Sequence, residues 1–232
     1  CSAAGDQCPV DLVRWVEPES DVHDPNLKRT NPHKRKADPS MFDLSGMRKA
    51  GKRIANEIIE VYNEGLDAPQ TDPEFVHEVH MMQLPLRRTT FAEVAAARRR
   101  IHDYLAEKPG DVDFNDAAAL QVDLGILRRE ELQEKMDILD TESHILRLGT
   151  VAFATNPFEL FLDFGNQIKA RSYAEQTFLV QLAGGSEGYL PTEKAEKGGH
   201  YSAFLASGLV GHAGGEQLVR ETLKNINKLF AE

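Results

Sequence analysis

The sequence predicts an α/β fold, a mixed sheet flanked by helices with a helical insertion. Three observations carry that reading: a helical period over 43–65, Ala-rich and charge-rich helical stretches over 91–139, and short apolar runs at His144–Thr155 and Thr177–Ala183. Apolar runs of that length, bounded by turn residues, suit buried strands. Strands separated by helical stretches then give a layered α/β architecture.

The elements follow in order. Residues 1–9 read as a compact turn, with a Gly-Asp pair and a terminating Pro9. From 17 to 40 the composition turns to prolines, charges and histidines, and Pro18, Pro25, Pro32 and Pro39 recur too closely for a helix, which gives a long loop or arm. From Asp43, the residues Met47, Ala50, Ile54, Ile58 and Val61 fall on one helical face until Gly65 closes the run. Phe75–Leu84 alternates as a strand, and Pro85 makes it an edge.

Thr90 and Glu93 form a capping box that starts a helix running to about residue 107. Two further helices are expected near 113–124 and 129–139, and all three are taken as an insertion packed on the sheet. Two short strands flank Gly149, a helix is expected over 159–171, Thr177–Ala183 is a buried strand, and Leu218, Val219, Thr222, Leu223, Ile226 and Phe230 mark a last helix. His102 lies in the insertion with no partner at ligand spacing and is read as a surface or core histidine.

At 232 residues, with 41% hydrophobic and 28% charged residues, the chain can bury a sizeable core, and its two cysteines are no disulfide framework. A net charge of −10 argues against nucleic acid as a partner, because phosphate binding needs concentrated Lys and Arg. The basic run within 28–36 is the exception, read as a solvated or partner-facing loop. No stretch approaches the roughly 20 apolar residues of a membrane helix, so a soluble chain is expected, with the cytoplasm preferred to the periplasm.

Chemistry-bearing residues concentrate between Asn156 and Tyr201. Glu159 is expected at the end of a strand and over a helix amino terminus, where open sheets place ligands; equally, it is a helix-start glutamate favoured by the macrodipole. Tyr189, between Gly188 and Leu190-Pro191, is either a site phenol or a hydrogen-bonded plug. Cys1 opens the chain, and self-cleavage, lipoprotein processing or an outside protease would each leave it there. A thiol is a nucleophile near neutral pH when its pKa is lowered, and the α-amine of an exposed Cys1, with a reference pKa of about 7.7–8.0, could act as its base. Cys8 is otherwise a small buried hydrophobe, and a Cys1–Cys8 disulfide would silence both thiols.

The order of motifs resembles the neutral/alkaline ceramidases and their bacterial relatives. Gly5-Asp-Gln-Cys-Pro9 is similar to a Gly-Asp-x-Ser-Pro site loop, and Leu148 to Glu159 to a strand ending in Pro-Gly-Glu. Gly165 to Lys169 with Ser172, Gly188 to Thr192, and Gly198-Gly199 follow in the same order. The resemblance implies a zinc amide hydrolase in which Glu159 and Tyr189 supply two metal ligands, and two histidines come from sequence upstream of this chain. It therefore implies the carboxyl-terminal half of a ceramidase-like domain over 1–232, completed by a separate amino-terminal chain of the same precursor, with a higher oligomer open.

Three departures bear on the chemistry: Phe158 replaces a glycine where backbone would approach metal or substrate, His200 follows the Gly-Gly pair, and Cys8 stands where the family has its serine. The expected function is hydrolysis of a non-peptide or cyclic amide, through zinc, an N-terminal thiol nucleophile, or both. Cys1, Cys8 and Asp6 are the catalytic candidates, Gly5, Phe158 and His200 the substrate-binding ones, and Glu159 and Tyr189 the metal ligands. The alternative is a non-catalytic subunit that binds a partner through the basic loop.

Overall fold

A computed structural model describes residues 3–7, 15–16, 36–37, 43–65, 70–108 and 110–231. The chain divides into two units, Cys8–Thr71 and a larger one formed by Cys1–Gln7 with Asp72–Glu232. In the smaller unit β1 (Trp15–Val16) pairs antiparallel with β2 (Lys36–Ala37), so part of the expected arm is a strand. The helix α1 (Asp43–Glu64) follows, and the Gly65 amide donates to the Val61 carbonyl at its end. The basic run before Lys36 lies outside the described residues, as do Cys1 and Cys8.

The larger unit is built on a four-stranded mixed sheet. The strands β3 (Phe75–Pro85) and β4 (Ile138–Leu148) pair antiparallel along their whole lengths, from Phe75↔Leu148 to Pro85↔Ile138. A turn at Gly149 and Thr150 leads into β5 (Val151–Thr155), antiparallel to β4. Two residues of β6 (Glu159–Leu160) and the helix α5 (Leu162–Arg171) then carry the chain over to β7 (Gln176–Val180), parallel to β5. The order is β3-β4-β5-β7, with β3 on the edge as Pro85 implies. A separate parallel pair joins β6 to β8 (Tyr189–Leu190).

One face of the sheet is closed by α5 and by the last helix, here numbered after the insertion helices. Those are α2 (Phe91–Ala106), α3 (Phe114–Ala119) and α4 (Gln121–Gln133), and they precede α6 (Glu193–Gly198) and α7 (His212–Phe230). Alternation sends Met82 and Leu84 of β3, Ile145 of β4, Ala152 and Ala154 of β5, and Leu179 of β7 into the core. There they meet Phe164 and Ile168 of α5 and Leu218, Val219 and Ile226 of α7. The period of 3.6 that marks the last helix in the sequence is thus the stripe that seals the sheet.

Three expectations are corrected. The stretch 129–139 is no helix of its own: its first five residues are the last of α4, which ends at Gln133, and Ile138 already pairs with Pro85, because 11 residues of cross-strand pairing outweigh a weak helical period. Glu159 does not start a helix; it is a strand residue, and α5 begins at Leu162. The insertion packs on itself and on the 3-10 turn Leu205–Ser207, with Val94, Ala97, Ile126 and Leu205 in a small core of their own. The Thr90–Glu93 capping box is present in full at the start of α2, with the Thr90 amide donating to Glu93 at 2.7 Å.

A candidate active site at the paired strands β6 and β8

Burial explains how the site forms. Phe158, Leu160 and Leu190 are wholly buried, so the alternation of a strand turns Glu159 and Tyr189, between or beside them, to the opposite side. The two are direct register partners across β6 and β8, and the Glu159 amide donates to the Gly188 carbonyl at 2.9 Å. Upstream, buried Asn156 accepts from the Phe158 amide at 3.1 Å through its side chain and from Ala183 through its carbonyl, which fixes the approach to β6.

Glu159 and Tyr189 line a cavity of about 340 Å³ whose other walls are Gln121 and Val122 of α4, Gly188, and Tyr201, Phe204, Ala206 and Ser207. The Tyr201 ring meets that of Tyr189 edge-on, with centroids 5.7 Å apart and planes at 73°. Burial, the hydrogen bond with Glu159 and the Glu159 charge all push the Tyr189 phenol above its ordinary range. Tyr189 is therefore a neutral hydrogen-bond donor beside a carboxylate.

The far wall is placed by Arg129 of α4, which is 5% exposed. Its Nη1 donates to the carbonyls of Arg87 and Leu209 at 2.6 and 3.2 Å, and its Nη2 to those of Leu205 and Gly208 at 3.2 and 2.7 Å. Burial, then the Arg87 charge, lowers it to about 10, so it remains a cation at neutral pH. Beneath that wall Gly188 and Gly208 bridge, and a Cβ on Gly208 would stand 2.0 Å from the Tyr189 carbonyl oxygen.

The amino-terminal loop lies against the back of β6. Gly5 donates its amide to the Leu160 carbonyl at 2.8 Å, and a Cβ there would stand 2.2 Å from the Glu159 carbonyl oxygen. That N–H is therefore already engaged by the Leu160 carbonyl. Asp6 Oδ1 accepts from the Leu162 amide at 2.8 Å and so caps α5 from outside it. Phe158, just before β6, is enclosed in the core and is not a lining residue of the cavity. His200 is exposed and also absent from the lining, with its carbonyl accepting from Ala203.

The structure thus brings Glu159 and Tyr189 together and leaves Phe158 and His200 aside. Gln121, Val122 and Arg129 have no signature in the sequence, since α4 reaches the site only through long-range packing, and Ser207 has none either; Tyr201 stands out there only as the end of the chemistry-bearing stretch. As to zinc, Glu159 and Tyr189 offer two oxygen donors, and among the described residues that line the cavity there is no imidazole. Among the described residues no group of three or more His, Cys, Asp or Glu side chains could hold a metal. The pair fits only as part of a ligand set.

No family model and no curated protein matches the chain. A solved structure of a ceramidase complexed with C2 is similar over 82% of this chain and 35% of its own, with 10% identity and a TM-score of 0.49. This chain therefore spans about a third of that protein, and a likeness so distant establishes neither activity nor site.

Proposed function

We propose that the chain is one subunit of a hydrolase acting on a small non-peptide or cyclic amide, and that Glu159 and Tyr189 are its reactive pair. The observation that carries this reading is their register pairing across β6 and β8 on one cavity wall. A neutral phenol held above its usual pKa donates a hydrogen bond to a carbonyl oxygen as negative charge develops there. The neighbouring Glu159 carboxylate takes the proton of an attacking water and delivers it to the leaving nitrogen. Tyr201 and Phe204 supply aromatic surface beside the pair against which a substrate can pack.

A zinc ion, held by Glu159 and Tyr189 with nitrogen ligands from an amino-terminal chain of the same precursor, would polarise the carbonyl when bound. The thiol route, with Cys1 or Cys8 attacking the carbonyl, needs an oxyanion donor other than the Gly5 amide. In the assembled protein, Glu159→Gln and Tyr189→Phe should each lower kcat on a panel of acyl and cyclic amides by about 10²-fold or more. Full turnover in both variants overturns the reading. Cys1→Ala and Cys8→Ala, with and without a chelator, separate the thiol and zinc routes.

A second reading, a non-catalytic partner-binding subunit, is favoured by the sheet face opposite α5 and α7. Phe75 and Met81 of β3 are each 64% exposed there. An assembly that forms normally but turns over no amide, with wild-type Glu159 and Tyr189, supports it.

A further inference from the structure

The cavity at β6 and β8 has a charge and ring composition that points to a class of ligand. Tyr189, Tyr201 and Phe204 are aromatic lining residues, and the charged side chain among the described lining residues is the Glu159 carboxylate alone. Tyr189 and Tyr201 have centroids 5.7 Å apart and planes at 73°, so their rings form two sides of a corner. Tyr201 is 61% exposed, which leaves much of its ring open to a ligand.

The segment that carries Tyr201 and Phe204 is held in place by its own backbone contacts. Tyr201 begins the 3-10 turn Tyr201–Ala203, and the Ala203 carbonyl accepts from Arg87 Nη1 at 2.7 Å. Ser207 Oγ donates to the Tyr201 carbonyl, and the Ser207 amide to the Phe204 carbonyl at 3.0 Å. Arg129 spends its donors on four backbone carbonyls and is not a lining residue. Walls fixed in this way lower the ordering cost of binding.

A volume of about 340 Å³ suits a small molecule. A carboxylate with no lining cation repels carboxylates and phosphates, while ring faces present the negative side of their quadrupole. Both features attract a cation, and the net charge of −10 acts in the same sense. Burial and Glu159 hold the Tyr189 phenol above its ordinary range, so it contributes a neutral ring and not a second charge. A primary ammonium carries three N–H donors that each need an acceptor. A fully alkylated ammonium has none to satisfy and gains directly from ring faces.

We propose that the cavity binds a quaternary ammonium group over Tyr201 and Phe204, with Glu159 as its counter-charge, so that the amide presented to Tyr189 carries a permanent cation. This names a substrate class for the site proposed above, and it rests on that reading for the amide but not for the cation.

The test uses the assembled protein, titrated with choline and with its uncharged isostere, in which carbon replaces the ammonium nitrogen, by calorimetry at constant ionic strength. Wild type should bind choline about 10-fold more tightly than the isostere, and Tyr201→Leu and Phe204→Leu should each weaken choline by about 5-fold. Glu159→Gln should weaken choline and leave the isostere unchanged. Tyr201→Phe keeps the ring and should keep the affinity, and Tyr173→Leu, at another exposed tyrosine, should also leave it unchanged. Equal affinity of wild type for choline and the isostere overturns the proposal, as does unchanged choline binding in Tyr201→Leu. Should Phe204→Leu fail to fold, the comparison of Tyr201→Leu with Tyr201→Phe decides alone. Turnover separates the two readings: choline binding without hydrolysis of any trimethylammonium-bearing amide supports the cation site and removes the hydrolase. Hydrolysis of uncharged amides by a protein that does not bind choline overturns the cation site alone.

Discussion

Arg129 Nη2 donates to the Gly208 carbonyl at 2.7 Å, and through that bond the helix α4 holds the strand-like segment that bridges to Gly188 beside Tyr189. The other three acceptors of the guanidinium are also backbone carbonyls, from Arg87, Leu205 and Leu209. No carboxylate is among these partners, so what the cation fixes is a backbone shape. Arg129→Ala leaves those carbonyls without their donor and should destabilise the unit by about 3 kcal/mol in urea unfolding. Arg129→Lys should recover only a part, because a point ammonium cannot reach acceptors spread around a planar fork. Equal stability of the Lys variant and wild type would refute this role.

Tyr189 gives the site a signature in alkaline solution. Its phenol is raised above the ordinary value of 10.0 by burial first and by Glu159 second. The folded state therefore holds this proton over a window in which the unfolded chain has released it, and stability must fall as pH rises above about 10. Tyr189→Phe removes that part of the alkaline loss. Spectrophotometric titration should show two late-ionising tyrosines, Tyr104 beside Asp116 and Tyr189, of which only the Tyr189 signal disappears in Tyr189→Phe and ionises earlier in Glu159→Gln. An unchanged tyrosine titration in Glu159→Gln would remove Glu159 as a cause.

Much of this was legible in the residues. The Thr90–Glu93 cap, the β3 edge at Pro85 and the apolar stripe of α7 are local signals, and local chemistry decides them. The pairing of Glu159 with Tyr189 was suggested by the order of motifs. That the two are strand neighbours was not, because two-residue strands carry no period. Phe158 misled, since a bulky residue before a candidate site reads as a wall until the burial of its neighbours fixes which way it points. Arg129 was invisible: an arginine inside a charged helix looks like solvated surface unless the carbonyls it meets, which come from residues 87 and 205–209, are known.

Gly208 should be intolerant of any side chain. Its Cβ would stand 2.0 Å from the Tyr189 carbonyl oxygen and 3.0 Å from the carbonyl carbon, and backbone under a bridge cannot give way cheaply. Gly208→Ala is expected to cost about 3 kcal/mol, at the upper end for overpacking, and to disturb Tyr189 before it disturbs the main sheet. Tryptic sensitivity near Lys194 and Lys197 should rise while the far-UV spectrum stays native. A variant with wild-type stability would show that the bridge is not close-packed in solution.

Asp6 distinguishes a capping residue from a catalytic one. It reaches the Leu162 amide at 2.8 Å, and with no side-chain cap at Phe161 it is the described group that satisfies the first turn of α5. Asp6→Ala should cost about 1 kcal/mol, as the loss of an N-cap does, and Asp6→Asn should restore most of it, since the amide oxygen accepts the same bond. If Asp6 were a general base, Asp6→Asn would abolish turnover at unchanged stability, because the amide cannot take a proton. Measuring unfolding free energy and kcat on the same two variants separates the roles. Stability rescue with turnover intact in Asp6→Asn is the expected outcome.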